Sequence, residues 1–183
     1  MGTMTPAPQD PTLAPWRQLQ ERLAGYFAAR SRGLLASELV LSSRDGEEFG
    51  RLRVDGPEGA GFEAGAVRAT IERAARWRHR MLADDVELLA ETAGSAEESE
   101  VRRGDRVYEV RLGLLRNTAV VRSPDGSEAA RVAGGLTNRS YEVYFDGGDE
   151  GSLLLAVFLL YRIVALRRRA FLTGAGGGGA PRP

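Results

Sequence analysis

The segment Leu153–Leu166, reading LLLAVFLLYRIVAL, restricts what this chain can fold into more than any other feature. A helix that is apolar on every side must be enclosed on every side, by lipid or by protein. As a bilayer span it is too short, because a crossing needs about 20 apolar residues. Arg162 interrupts it, Arg167, Arg168 and Arg169 close it, and Asp149, Glu150 and Gly151 precede it. The N-terminal stretch Met1–Pro15 has no basic region followed by an apolar run, so it does not read as a secretory signal. The region before the helix is then expected in the cytoplasm. A span would put the Arg run outside, against the positive-inside tendency. A buried core helix over 151–168 is the expectation, with Arg162 reaching an opening or meeting an acidic partner.

The residues before this helix carry strand periodicity. Leu39–Leu41 runs into Ser43-Arg44-Asp45-Gly46, and Asp-Gly between apolar runs is a hairpin signal. Over 66–82, Val67, Ala69, Ile71, Ala75, Trp77 and Met81 alternate with polar residues, which favours strands. A helical match through Val67, Ile71, Ala74 and Arg78 is shorter. Val86–Leu89 is a short apolar run, and Ala96–Glu100 reads as an acidic loop. Val107–Leu115, Thr118–Arg122, Ala129–Val132 and Ser140–Phe145 read as four strands. Pro124 and Gly126 suit the second and fourth positions of a type I turn. The hairpin residues Val40, Ser43, Asp45, Gly46, Glu48 and Arg51 recur as Val120, Ser123, Asp125, Gly126, Glu128 and Arg131. Either turn chemistry converged, or the chain holds two similar β units. Upstream, Trp16, Leu19, Leu23, Tyr26 and Phe27 recur at helical spacing and predict an amphipathic helix over 16–32, stopped by Gly33.

The organisation that follows is a disordered lead-in over 1–14, a single domain over 15–171 and a flexible Gly-rich tail over 172–183, with the β region spanning 36–146. The expected fold class is mainly β; a closed antiparallel β-barrel around a buried C-terminal apolar helix is one enclosure that fits, with an extra N-terminal amphipathic helix.

Composition narrows the chemistry. The 25 basic residues balance 25 acidic ones, so a protein that coats nucleic acid is not expected. Every basic residue is Arg, which excludes a Schiff-base or P-loop lysine. There is no Cys, which removes disulfides, thiolate catalysis and thiol metal sites. His79, the one histidine, sits in Arg76-Trp77-Arg78-His79-Arg80 and reads as a surface or strand-facing side chain, its charged form disfavoured by those cations. No G-x-S-x-G elbow accompanies it. Gly59–Gly65 has the wrong spacing for a dinucleotide fingerprint and reads as a turn. Asp84-Asp85, adjacent on a strand, point to opposite faces. No catalytic residue, cofactor or metal ligand is assigned.

The stretch Asp125-Gly126, Arg131-Val132, Asn138–Val143 and Leu153–Phe158 resembles the superfamily of tubby C-terminal domains, phospholipid scramblases and LURP-one-related proteins. The resemblance covers roughly residues 34 to 170. It implies a closed barrel of about twelve strands wrapped around a central hydrophobic helix. Trp16–Arg32 would then be an addition to the core. The chain departs from the family in lacking a calcium loop and a lysine-rich headgroup patch, so Arg would replace the latter.

Arg73, Arg76, Trp77, Arg78 and Arg80 form the most suggestive surface feature, with Arg102, Arg103 and Arg106 further on. Its plainer reading is a solvated strand face balanced by Asp84, Asp85, Glu87 and Glu91. The functional reading is contact with anionic headgroups or nucleic-acid phosphates. The resulting expectation is a non-enzymatic tubby-like or scramblase-like domain that binds membrane phospholipid headgroups or a protein partner at the cytoplasmic membrane face. Two alternatives stand beside it: a membrane-anchored accessory protein with a C-terminal transmembrane helix, and an enzyme with a carboxylate/Arg site.

Overall fold

In a computed structural model, described over residues 11–32, 38–135 and 139–174, twelve antiparallel strands close into a barrel around one helix. A short 3-10 turn, Pro11–Leu13, leads into α1, Ala14–Leu23. The strands are β1 Tyr26–Ser31, β2 Glu38–Ser42, β3 Glu48–Val54, β4 Gly59–Ala64, β5 Val67–Ala75 and β6 Arg78–Ala83. They continue as β7 Val86–Gly94, β8 Glu98–Arg103, β9 Arg106–Gly113, β10 Thr118–Arg122, β11 Glu128–Gly134 and β12 Ser140–Phe145, and the helix α2 spans Ser152–Gly174. Each strand pairs with its sequence neighbours, and β1 closes the ring on β12.

Alternation builds the wall. In β12, Tyr141, Val143 and Phe145 face inward while Ser140, Glu142 and Tyr144 face out. The inward sets enclose α2 so fully that Leu154, Leu155, Phe158, Leu159 and Leu160 have no exposed surface. Burying one such side chain is worth about 1.5–3 kcal/mol, so the helix is the core. Among the described residues no helix is long and apolar enough to cross a membrane.

The two rims of the barrel are closed differently. At the lower rim, where α2 enters, α1 packs Trp16, Leu19 and Leu23 inward, and Trp16 stacks on Phe62 at 5.2 Å. Gln20 fixes the turn into α2, donating through Nε2 to the carbonyls of Gly147 (3.2 Å) and Asp149 (2.9 Å). At the upper rim, where α2 leaves, Arg168 donates to the Val54 carbonyl at 3.0 Å and Arg167 to that of Leu114. The turns β3–β4, β5–β6, β7–β8 and β9–β10 lie on this rim.

Several expectations need correction. The helix predicted over 16–32 ends at Leu23, because Ala24 (φ 48°) and Gly25 (φ 81°) turn left-handed. A Cβ on Gly25 would lie 2.9 Å from the Phe145 carbonyl oxygen. Tyr26–Ser31 then forms β1, so this region supplies a barrel strand and is not wholly an addition. The lead-in expected over 1–14 reaches too far: Pro11–Leu13 is a 3-10 turn and Ala14 opens α1, while residues 1–10 lie outside the described residues. The tail expected from 172 begins inside α2, which runs to Gly174; residues 175–183 lie outside the described residues, as do Gly33 and Asn138. Gly59–Ala64 is the strand β4, not a turn, with Ala60, Phe62 and Ala64 inward. A Cβ at position 59 would meet the Ile71 carbonyl oxygen at 2.2 Å, so glycine lets β5 lie close. Glu98–Glu100, read as loop, begins β8. Asp84 (φ 48°) and Asp85 (φ 65°) make the two-residue β6–β7 turn, the left-handed pair that suits a hairpin.

The strands expected over 66–82 are β5 and β6. The two similar hairpins share geometry to the bond: Gly46 donates to the Ser43 carbonyl at 3.0 Å and Gly126 to that of Ser123 at 2.9 Å, with φ of 83° and 84°. Both carry a register shift one residue before the turn, at Leu41/Ser42 and Val121/Arg122. They nevertheless lie on β2–β3 and β10–β11, whereas a twofold repeat of a twelve-strand ring would match β2–β3 to β8–β9. Shared turn chemistry accounts for the likeness.

Candidate functional site

The β5–β6 hairpin brings the Arg–Trp cluster to the upper rim. Ala75 pairs with Arg78, leaving Arg76 and Trp77 at the tip. Trp77 has φ 62°, a left-handed conformation that costs a bulky residue of order 1–3 kcal/mol. This aims the indole at α2, where the Arg169 guanidinium lies 4.3 Å over its ring. Between hairpin and helix is a cleft of about 60 Å³ lined by Pro57, Arg73, Arg76, Trp77, His79, Arg162 and Arg169.

Arg73 donates to Glu58 at 2.9 Å on the exposed side of this cleft. Arg76 is exposed, and no acidic partner approaches it among the described residues. Arg78 is exposed on the outer wall and Arg80 donates to Glu72 there at 2.7 Å, so neither lines the cleft. The cluster is also split along the chain. Arg106 pairs with Asp149 at 2.7 Å on the lower rim, where Arg103 lies against Gly151, and Arg102 is 3.7 Å from Glu87 on the outer wall.

The floor of the cleft is a buried polar network that sequence reasoning missed. His79 faces inward and is 4% exposed, against the expectation of a surface or strand-facing group. Its Nδ1 lies 3.0 Å from Glu91 Oε2, and its Nε2 lies 2.9 Å from the Pro57 carbonyl oxygen. Both ring nitrogens therefore have a partner oxygen. The His79 backbone N–H also donates to Glu91 Oε2 at 2.8 Å, and Ser99 Oγ donates to Oε1 at 2.8 Å. Arg162 of α2 completes the set. Its Nε is 2.8 Å from Glu91 Oε1 as an ion pair whose angle falls short of a hydrogen bond, and its Nη2 reaches the Ala96 carbonyl at 3.5 Å. The acidic partner required by Arg162 is therefore Glu91. Tyr161, edge-on to His79 at 5.2 Å, donates to the Pro57 carbonyl at 3.4 Å. Burial pushes its hydroxyl well above the ordinary tyrosine range, partly opposed by Arg162.

This arrangement gathers basic side chains around one small cleft. Four guanidiniums line it beside His79, and of these Arg73 pairs with Glu58 and Arg162 with Glu91. It is poorly arranged for proton transfer, because His79 Nε2 is engaged by a carbonyl and Glu91 is fully committed. No group of three His, Cys, Asp or Glu gathers as a metal site among the described residues.

Comparison with known proteins bears on the fold alone. No protein-family model matches the chain, and no curated protein matches it. An X-ray structure of a protein from Arabidopsis thaliana is similar, with a TM-score of 0.53 at 11% identity over 74% of this chain and 88% of that one.

Proposed function

We propose that this chain is a non-enzymatic binding domain of the tubby-like or scramblase-like type, which takes the anionic headgroup of a membrane phospholipid at the cytoplasmic membrane face. The observation that carries this reading is Arg76. It stands exposed and without an acidic partner among the described residues, at the mouth of a cleft backed by Arg73, Arg162 and Arg169 and walled by Trp77. A guanidinium beside an indole suits a phosphate at the headgroup level, where Trp is favoured and each nearby Arg contributes about 1 kcal/mol. The enclosed α2 supports peripheral attachment over a C-terminal span. The committed state of Glu91 and His79 supports binding over carboxylate catalysis.

The test is co-sedimentation with phosphatidylcholine vesicles, with and without phosphatidylserine, at low salt. The expected result is binding only to the anionic vesicles, lost as salt rises. Arg76→Ala should weaken it about fivefold, from the loss of about 1 kcal/mol, with the melting temperature unchanged. Equal sedimentation with neutral and anionic vesicles, or none with either, overturns the reading.

A further inference from the structure

A chain of zero net charge can still orient on a charged surface if its charges are segregated, and here the barrel segregates them by rim. The lower-rim turns carry Asp84, Asp85, Asp105, Asp125 and Asp146, with Arg44 the cation among them. Arg17 and Arg106 at that rim are taken by Glu150 (2.6 Å) and Asp149 (2.7 Å), and the further cations Arg22 and Arg103 there are outnumbered once Asp45 and Glu47 of the β2–β3 turn are added to those acids. The upper rim carries Arg76, Arg116, Arg139 and the run Arg167–Arg169, against Asp55, Glu58 and Glu97. The up-and-down topology causes this sorting, since alternate turns fall on the same rim.

The basic rim also holds the most exposed large apolar side chain described. Leu115, at the β9–β10 turn, is 103% exposed, while Leu114 beside it packs on the core. A lone exposed Leu means little. This one is followed by Arg116 and shares its rim with Trp77 and the cleft. An apolar tip, an indole and several guanidiniums on one end of a molecule match the layers of a bilayer surface: acyl boundary, headgroup level and phosphate.

We propose that the upper rim is the face that rests on an anionic bilayer, with Leu115 at the acyl boundary and Trp77 at headgroup level. This rests on the headgroup reading above and adds the orientation and the anchor. Because the chain has no Cys, a single reporter can be placed on either rim. Leu115→Cys and Asp85→Cys proteins would each carry the polarity-sensitive fluorophore NBD and be mixed with phosphatidylcholine/phosphatidylserine vesicles. Unlabelled protein sedimented with the same vesicles reports binding.

The fluorophore at position 115 should brighten and shift to the blue while that at 85 does not change. In unlabelled protein, Leu115→Glu should weaken vesicle binding roughly tenfold, the loss expected for one leucine withdrawn from an apolar environment, with an unchanged melting temperature. Binding with a response at 85 alone, or equal responses at both positions, overturns the orientation and leaves headgroup binding standing. Failure of the unlabelled protein to sediment overturns both.

Discussion

Glu91 shows how one carboxylate can hold together the centre of a barrel. Its two oxygens face His79, Ser99 and Arg162, all buried, so removing its charge strands the Arg162 guanidinium away from water without its counter-charge. Such a loss costs about 3–5 kcal/mol. Glu91→Gln should therefore lower stability by that order in urea unfolding, and Arg162→Met in the same background should recover part of it. A Glu91→Gln protein as stable as the parent would show that the network contributes nothing. This site was half legible in sequence. The need of Arg162 for an acid follows from its place in an apolar helix, but the identity of that acid does not. A bulge between Met81 and Leu82 shifts the β6–β7 register so that Arg80 faces Ala90, and one residue on, the His79 backbone N–H donates to Glu91 Oε2. Without that bulge the same turn would set Ala90 against His79, and nothing in the residues announces the extra one. Trp77 and Arg76 were legible as a cluster. Arg169 as the indole's partner was not, because that contact joins positions far apart in the chain.

The element scale is where hydropathy speaks most clearly and misleads most easily. Period-two alternation located the later strands because each has one face on the core and one in water. Tyr26 and Phe27 fitted a helical stripe by coincidence. They continue the spacing of Trp16, Leu19 and Leu23, and only the left-handed pair Ala24-Gly25 breaks it. α2 was legible as buried because nothing polar but Arg162 interrupts it. Its burial has a measurable consequence at high pH. Tyr161 on α2 and Tyr141 on β12 both have their hydroxyls raised above the ordinary value, chiefly by burial. The unfolded chain gives up these protons near pH 10, whereas the fold keeps them. The folded state then binds more protons, so stability is full below about pH 10 and falls as pH rises past it. Urea midpoints between pH 8 and 11 should decline in the upper part of that range, and Tyr161→Phe should flatten the decline. An unchanged slope in that variant would mean that Tyr161 ionises in the fold as readily as in the open chain.

At the scale of the whole molecule, the barrel and its helix define one another. Strands that follow in sequence pair in space, so most of the wall forms from local hairpins. Two contacts are not local: β1 must find β12, and α2 must fill the interior after the last strand has left the turn at Asp146. Non-local closure comes late, because the entropy of closing the chain is lost before the contacts repay it. The residues that line the empty ring, such as Leu41, Leu52, Met81 and Val121, have no exposed surface in the fold, yet a ring without α2 would leave them facing a void. Neither water nor vacuum is a tolerable filling, since cavities of even one side chain cost several kcal/mol. A chain ending at Gly151 should therefore show no cooperative thermal transition, with exchange of its strand amides as fast as in an open chain. The full chain should melt in a single step, monitored by the β signal in the far ultraviolet. If the shortened chain melted cooperatively with protected amides, the strands would be self-sufficient and α2 an insertion into a finished barrel. The loss of both would mean that the apolar segment, which looks from sequence like something meant for lipid, is the template on which the barrel closes.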